Sequence, residues 1–124
     1  MKIKNLLSAV LFLFFASYFA QNTIEVMSFN IRLGSVDDGE NHWNIRKDKV
    51  KDLINYYEAD FVGLQEAQKP QINYLLENNS LYSFLGKPRD DGENAEFSCI
   101  FYLKNKYKVL EQNTFWLSET PEKS

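Results

Sequence analysis

The chain has 124 residues, with 14 Lys and Arg against 17 Asp and Glu, a formal net charge of −3 and a single Cys. One cysteine excludes an internal disulfide, and an acidic balance argues against tight nonspecific nucleic-acid binding, which depends on Lys and Arg neutralising phosphates. The length suits one small domain, and no low-complexity tract or linker divides it.

The first twenty residues stand apart. Lys2 and Lys4 make a short basic start, Leu6 to Phe19 is almost wholly apolar, and Ala20 precedes Gln21. This is the layout of a secretory signal peptide, too short and wrongly flanked for a stable spanning helix. Cleavage is expected after Ala20, although Tyr18 stands where a second small residue is preferred; an uncleaved anchor is the alternative. No cysteine follows the apolar run to carry a lipid. The expected destination is the periplasm or the medium, with no stable membrane insertion after cleavage. Removal of residues 1–20 leaves 12 basic against 17 acidic residues, a net charge of −5.

From residue 23 the pattern becomes that of an α/β domain. Ile24, Val26, Ser28 and Asn30 alternate with Glu25, Met27, Phe29 and Ile31, which predicts an inner strand over 23–31 with both faces covered. A polar loop from Gly34 to Asn41 follows, with Asp38-Gly39 as its sharpest turn signal. A helix is expected from about Asn44, an allowed N-cap, to Tyr57, with Val50, Leu53, Ile54 and Tyr57 at i, i+3, i+4 and i+7. Phe61–Gln65 reads as a short buried strand. Pro70 opens a short helix with Ile72, Leu75 and Leu76 inward, ended by Asn78-Asn79. Tyr82–Leu85, Phe97–Leu103 and Tyr107–Leu117 read as strands, with Lys104-Asn105-Lys106 as the hairpin turn joining the last two. The pentapeptide Asp-Asp-Gly-Glu-Asn occurs at 37–41 and again at 90–94; its spacing is not that of an EF-hand, and two solvated Asp-Gly turns are expected.

Strand, helix, strand with such short connections implies a right-handed parallel crossover. Asn30 and Glu66 then stand at the carboxyl ends of two parallel strands, the edge where open α/β sheets place their ligands. Spacing alone leaves ordinary roles open for both: a solvated carboxylate at a strand end, and an amide that closes a strand on its own backbone.

Met27-Ser28-Phe29-Asn30-Ile31-Arg32 and Gly63-Leu64-Gln65-Glu66 resemble the two strand-end motifs of the endonuclease/exonuclease/phosphatase superfamily. Trp43-Asn44-Ile45-Arg46-Lys47-Asp48, Arg89-Asp90-Asp91-Gly92, Glu96-Phe97 and Thr114-Phe115-Trp116-Leu117-Ser118-Glu119-Thr120-Pro121 resemble further blocks of an often exported bacterial subgroup. The resemblance covers nearly everything from Thr23 onward. It implies the amino-terminal half of a two-sheet α/β sandwich in residues 21–124, an incomplete one, since both sheets are needed to bury each other's inner faces.

What the resemblance implies for chemistry is metal-dependent hydrolysis of a phosphate ester: a small molecule, a phospholipid head group or a nucleic acid. Glu66 matches the glutamate that coordinates the catalytic cation, and Asn30 the asparagine beside it, so both are candidate catalytic and metal-site residues. One carboxylate and one amide oxygen suit magnesium, with manganese as an alternative. Arg89 is the candidate substrate contact; Arg32 and Arg46 are further guanidinium groups that could meet phosphate. Family members continue to an asparagine-threonine-histidine strand, an aspartate-x-asparagine motif and a terminal aspartate-histidine pair, none of which is present here. The only histidine, His42, does not fall where the family places a catalytic one. The chain is therefore expected to be an amino-terminal fragment, inactive by itself; the alternative is a non-catalytic exported remnant or binding module. Cys99, inside a strand pattern with no basic neighbourhood, reads as a buried structural thiol. No protein partner can be inferred.

Overall fold

A computed structural model describes residues 23–92 and 94–122; the expected signal peptide, residues 1–20, lies outside them. The elements follow the sequence pattern closely: β1 (Val26–Asn30), a 3-10 turn (Gly39–Asn41), α1 (Trp43–Tyr57), β2 (Phe61–Gln68), α2 (Lys69–Glu77), β3 (Tyr82–Leu85) and β4 (Glu96–Leu103). The strands form one four-stranded sheet in the order β1-β2-β4-β3. β1 and β2 are parallel, in register from Val26↔Phe61 to Asn30↔Gln65. β4 runs antiparallel to both β2 and β3.

One face of the sheet carries the core. Val62, Leu64, Phe97, Cys99 and Phe101 from the central strands close on Val50 and Ile54 of α1 and on Ile72 and Leu75 of α2, and Ile31 and Trp43 complete the cluster. Helix periodicity alone picks out the inward positions of α2: Ile72 and Leu75 are buried and Leu76 packs against the cluster. The opposite face is open. Val26 is 71% exposed and Ile24 and Ile100 are also exposed.

Three expectations are corrected. β1 is an edge strand among the described residues, not an inner one covered on both sides; alternating apolar residues reveal that both faces are apolar, not what lies against them. α1 begins at Trp43, and its N-cap is His42 rather than Asn44: the His42 Nδ1 accepts the Asn44 backbone N–H at 3.2 Å, satisfying one of the orphan donors of the first turn. Finally, 107–117 forms no strand. Lys104-Asn105-Lys106 does turn the chain, with the Lys106 and Tyr107 N–H groups both donating to the Leu103 carbonyl. But β4 already pairs with β2 on one edge and β3 on the other, so no ladder position remains beside β4 for the expected hairpin partner.

Asp60 ties the ends of the strands together. It is 3% exposed, accepts the Glu25 backbone N–H at 2.9 Å and pairs with Lys106 beyond β4. The Lys106 hydrogen bond, then that from Glu25, holds its carboxyl below the ordinary value of 3.8. A carboxyl with a depressed folded-state pKa stabilises the fold above its unfolded value and loses that contribution as pH falls through the folded one. The expected result is that Asp60→Asn lowers stability at pH 7 and flattens the loss of stability below pH 4; urea midpoints measured at pH 7, 4 and 3 give the comparison.

Candidate functional site at the strand ends

The site grows out of an irregularity in β2. On β4, Cys99 and Phe97 are two residues apart, whereas their partners on β2, Leu64 and Ala67, are three apart. Both of those β2 residues face the core, so the strand accommodates one extra residue as a bulge. Glu66 absorbs it with a left-handed backbone, φ 56°, a conformation that costs a non-glycine residue about 1–2 kcal/mol. The result re-aims its carboxylate toward β1, where Asn30 Nδ2 donates to Glu66 Oε1 at 2.8 Å. Sequence reasoning expected Asn30 and Glu66 at one sheet edge, and the structure brings them into direct contact there.

The Asn30 amide has only one workable orientation. Its Oδ1 accepts the Arg32 backbone N–H at 2.9 Å, while its nitrogen faces the carboxylate. Reversing it would set two oxygens against each other at Glu66 and two donors against each other at Arg32. Arg32 itself is left-handed, φ 57°, and two buried or half-buried side chains hold it so. Gln71 Nε2 donates to the Arg32 carbonyl at 2.9 Å. Arg46 donates to the carbonyls of Ile31, Arg32 and Asn41.

The glutamines extend this clamp. Gln71 Oε1 accepts the N–H groups of Gln68 at 2.9 Å and Gly34 at 3.2 Å. Gln68 accepts from Ser35 N at 2.8 Å and donates to Ser35 Oγ and the Asn94 carbonyl. A Cβ at position 34 would stand 2.9 Å from Gln71 Cδ, so glycine alone lets the loop approach this closely. Neither glutamine figured among the residues singled out from sequence. The available signal was Gln71 on the same helix face as Leu75, four residues on, a polar group where a core residue is expected.

The arginines separate by what they touch. Arg46, with its donors committed to carbonyls and its pKa lowered chiefly by burial, is a structural clamp and not a phosphate contact. Arg32 makes a two-point ion pair with Asp38 at 2.7 and 2.9 Å, an interaction that raises the arginine pKa and lowers that of the aspartate. Thus the first Asp-Asp-Gly-Glu-Asn segment is a docked loop rather than a free turn. Arg89 remains available: its side chain is 71% exposed, with Glu96 only loosely paired at 3.8 Å. Its backbone N–H donates to the Glu96 carbonyl at 2.8 Å, and Glu96 is in register with Gln68 at the end of β2, so Arg89 belongs to the same sheet edge as Glu66. His42 is occupied as a helix cap, as described above.

Among the described residues no group of three or more His, Cys, Asp or Glu side chains is placed to hold a metal ion. The oxygen donor at the strand ends is the Glu66 carboxylate; Asn30, expected as a second ligand, instead turns its nitrogen to that carboxylate and its oxygen to the Arg32 N–H, and so orients the ligand. This donor fits a hard cation that retains most of its water, as magnesium does, and does not fit zinc.

Two outcomes follow from this arrangement. Replacing Gln71 by Met leaves the Gln68 and Gly34 N–H donors without their partner, and is expected to cost about 1–3 kcal/mol of stability, read from urea unfolding. Cys99 is 2% exposed, and burial pushes its thiol up to about 12; it is expected to resist a thiol reagent at pH 8 in the folded protein and to react fully in 6 M guanidinium chloride.

Residues 27–117 match the sequence profile of the Endonuclease/Exonuclease/phosphatase family. An endonuclease/exonuclease/phosphatase structure from Bacteroides vulgatus is similar at 41% identity and a TM-score of 0.74, over 80% of this chain and 38% of that one. The mannosyl-6-phosphatase Bt3783 of Bacteroides thetaiotaomicron is similar at 33% identity and a TM-score of 0.74, over 81% of this chain and 39% of that one. D. rerio TDP2, solved with a single-strand DNA product, shares the fold at 22% identity and a TM-score of 0.61, over 82% of this chain and 38% of that one. No curated protein sequence matches. The chain thus spans about two fifths of the length of these solved structures, which makes its α/β sheet a partial domain of their fold. It belongs to the endonuclease/exonuclease/phosphatase family.

Proposed function

We propose that the protein is an exported phosphoesterase dependent on a divalent cation, with magnesium the best match and manganese an alternative. The observation that carries the reading is the Asn30–Glu66 contact of 2.8 Å, built at the carboxyl ends of two parallel strands by a strained bulge. Membership of a phosphatase and nuclease family supports hydrolysis of a phosphate ester. So does the solved relative named as a mannosyl-6-phosphatase.

In this reading Glu66 is the cation ligand, and the Asn30 amide, its oxygen held by the Arg32 N–H, donates through its nitrogen to the carboxylate and sets its angle. A cation held there supplies Lewis-acid polarisation of the phosphoryl oxygen. Arg89, exposed at the same edge, binds the anionic substrate. Gln71 and Arg46 act at one remove by holding the left-handed turn at Arg32 on which the Asn30 orientation rests. Hydrolysis also needs groups that orient the water and stabilise the phosphoryl charge, each worth orders of magnitude in rate. The 124-residue chain by itself is therefore expected to be inactive, and the activity to belong to a chain of the relatives' full length. The leader-like residues 1–20 and the acidic mature charge suit an exported protein acting on discrete phosphate esters.

The test uses a chain extended to the length of its relatives and a chromogenic phosphodiester, with and without magnesium. Magnesium-dependent turnover is expected, and Glu66→Gln lowers kcat by at least about 100-fold, of the order lost when a key electrostatic group is removed. Undiminished turnover in that variant sinks the reading. In parallel, Glu66→Gly removes the backbone strain along with the carboxylate, so its unfolding free energy is expected to be unchanged or raised by about 1 kcal/mol while activity is lost.

A further inference from the structure

The loop after β1 is built with more care than its packing requires. No residue from Arg32 to His42 belongs to the core cluster, yet hydrogen bonds anchor the loop at both ends. Gly34 and Ser35 are tied to Gln71 and Gln68, and Arg46 holds the Asn41 carbonyl at 2.8 Å. Between these anchors the Asn41 N–H donates to the Asp38 carbonyl at 3.0 Å and the His42 N–H to the Gly39 carbonyl at 3.0 Å. The loop thereby presents the Asp38 carboxylate, its side chain only 19% exposed, to the Arg32 guanidinium.

Arg32 gives Asp38 two donors, Nε at 2.7 Å and Nη2 at 2.9 Å, one to each carboxylate oxygen. A second carboxylate stands close by. The Asn30 amide takes the Arg32 N–H on its oxygen and donates to Glu66 from its nitrogen. One amide therefore separates the Arg32 backbone from the Glu66 carboxylate, a span that an arginine side chain covers. The guanidinium already feels Glu66: its pKa is raised chiefly by the hydrogen bond and charge of Asp38, and further by the charge of Glu66. Yet among the described residues Glu66 forms no ion pair. A guanidinium matches a carboxylate with two parallel N–H donors, so a released Arg32 would cover the oxygens that a cation needs.

We infer that Asp38 is a positioning residue: by holding the Arg32 guanidinium at two points it keeps that group off Glu66 and leaves the carboxylate open to a divalent cation. The inference rests on the phosphoesterase reading and deepens it. Asp38 touches neither cation nor substrate and acts only through Arg32. The anchored loop supplies the fixed end of the ion pair and Arg32, its side chain 56% exposed, the movable one. Because the pair is partly open to solvent, its effect is modest and weakens as salt rises.

A manganese titration of the 124-residue chain at low ionic strength, followed by paramagnetic broadening of the Gln65 and Glu66 backbone amide signals, reports binding at this carboxylate without any hydrolysis. Asp38→Asn is expected to raise the manganese concentration for half-broadening about 5-fold, the order of effect that an exposed charge pair carries. Adding Arg32→Gln to that variant is expected to bring the concentration back to the wild-type value, and Arg32→Gln alone to leave it there or lower it. A loop merely loosened by the loss of Asp38 is not restored by removing its partner, so the double variant separates positioning from structure. Wild-type broadening in Asp38→Asn overturns the inference, as does a double variant as weak as the single one, or weaker binding in Arg32→Gln alone. In each of those cases Glu66 still binds the cation and the phosphoesterase reading stands. A wild-type Glu66 signal that manganese leaves sharp removes the cation ligand itself, and the inference with it.

Discussion

The extra residue in β2 is the constraint on which the site depends. Leu64 and Ala67 both have to reach the core, and a regular strand would send residues three apart to opposite faces. The chain resolves the conflict by placing Glu66 in a left-handed conformation and letting the sheet register slip on one side only. β1, on the other side of β2, keeps an unbroken parallel register up to Asn30↔Gln65, which is why a carboxylate displaced by the bulge finds the Asn30 amide. Strain of this kind persists only where its surroundings over-determine it. Here the core on one face and the Asn30 hydrogen bond on the other do so.

A second strained residue, Arg32, is coupled to the first through Asn30. The amide oxygen takes the Arg32 N–H and the amide nitrogen takes Glu66, so the two left-handed positions hold the same side chain from opposite ends. Behind Arg32 stands a hydrogen-bonded network, from the buried Gln71 and Gln68 of the β2–α2 junction to the half-buried Arg46 of α1. Polar groups so placed are costly when partly paired and rigidifying when fully paired. The helices therefore do more than cover the sheet. α1 and α2 each send one polar side chain into the loop after β1, and the site inherits their rigidity.

The open face of the sheet completes the picture of a partial domain. The face carrying Val26 and Ile100 lies exposed, and solved relatives are more than twice as long as the region they share with this chain. Within the described residues the functional edge is asymmetric. Its β1–β2 side is locked by short hydrogen bonds, whereas its β4 side presents Arg89 and the aromatic segment to solvent.

Much of this was legible in the sequence because it follows from local periodicity. Alternation announced β1, a 3.6-residue period announced α1 and α2, and the short connections between them implied that β1 and β2 run parallel with Asn30 and Glu66 at the same edge. The misreadings share a physical origin. Whether β1 is an inner or an edge strand, and whether 107–117 finds a ladder partner, depend on which sheet edges are already taken, and that is a property of the assembled sheet. The helix-capping role of His42, the structural commitment of Arg46 and the clamp formed by Gln68 and Gln71 are long-range or geometric facts with no periodic signature. The sequence by itself determined β1 to β4 and both helices, the parallel pairing and the residue types at the site. Only the tertiary structure decided that an extra residue in β2 would be absorbed at Glu66, because that choice answers to the core beneath it and not to its neighbours in the chain.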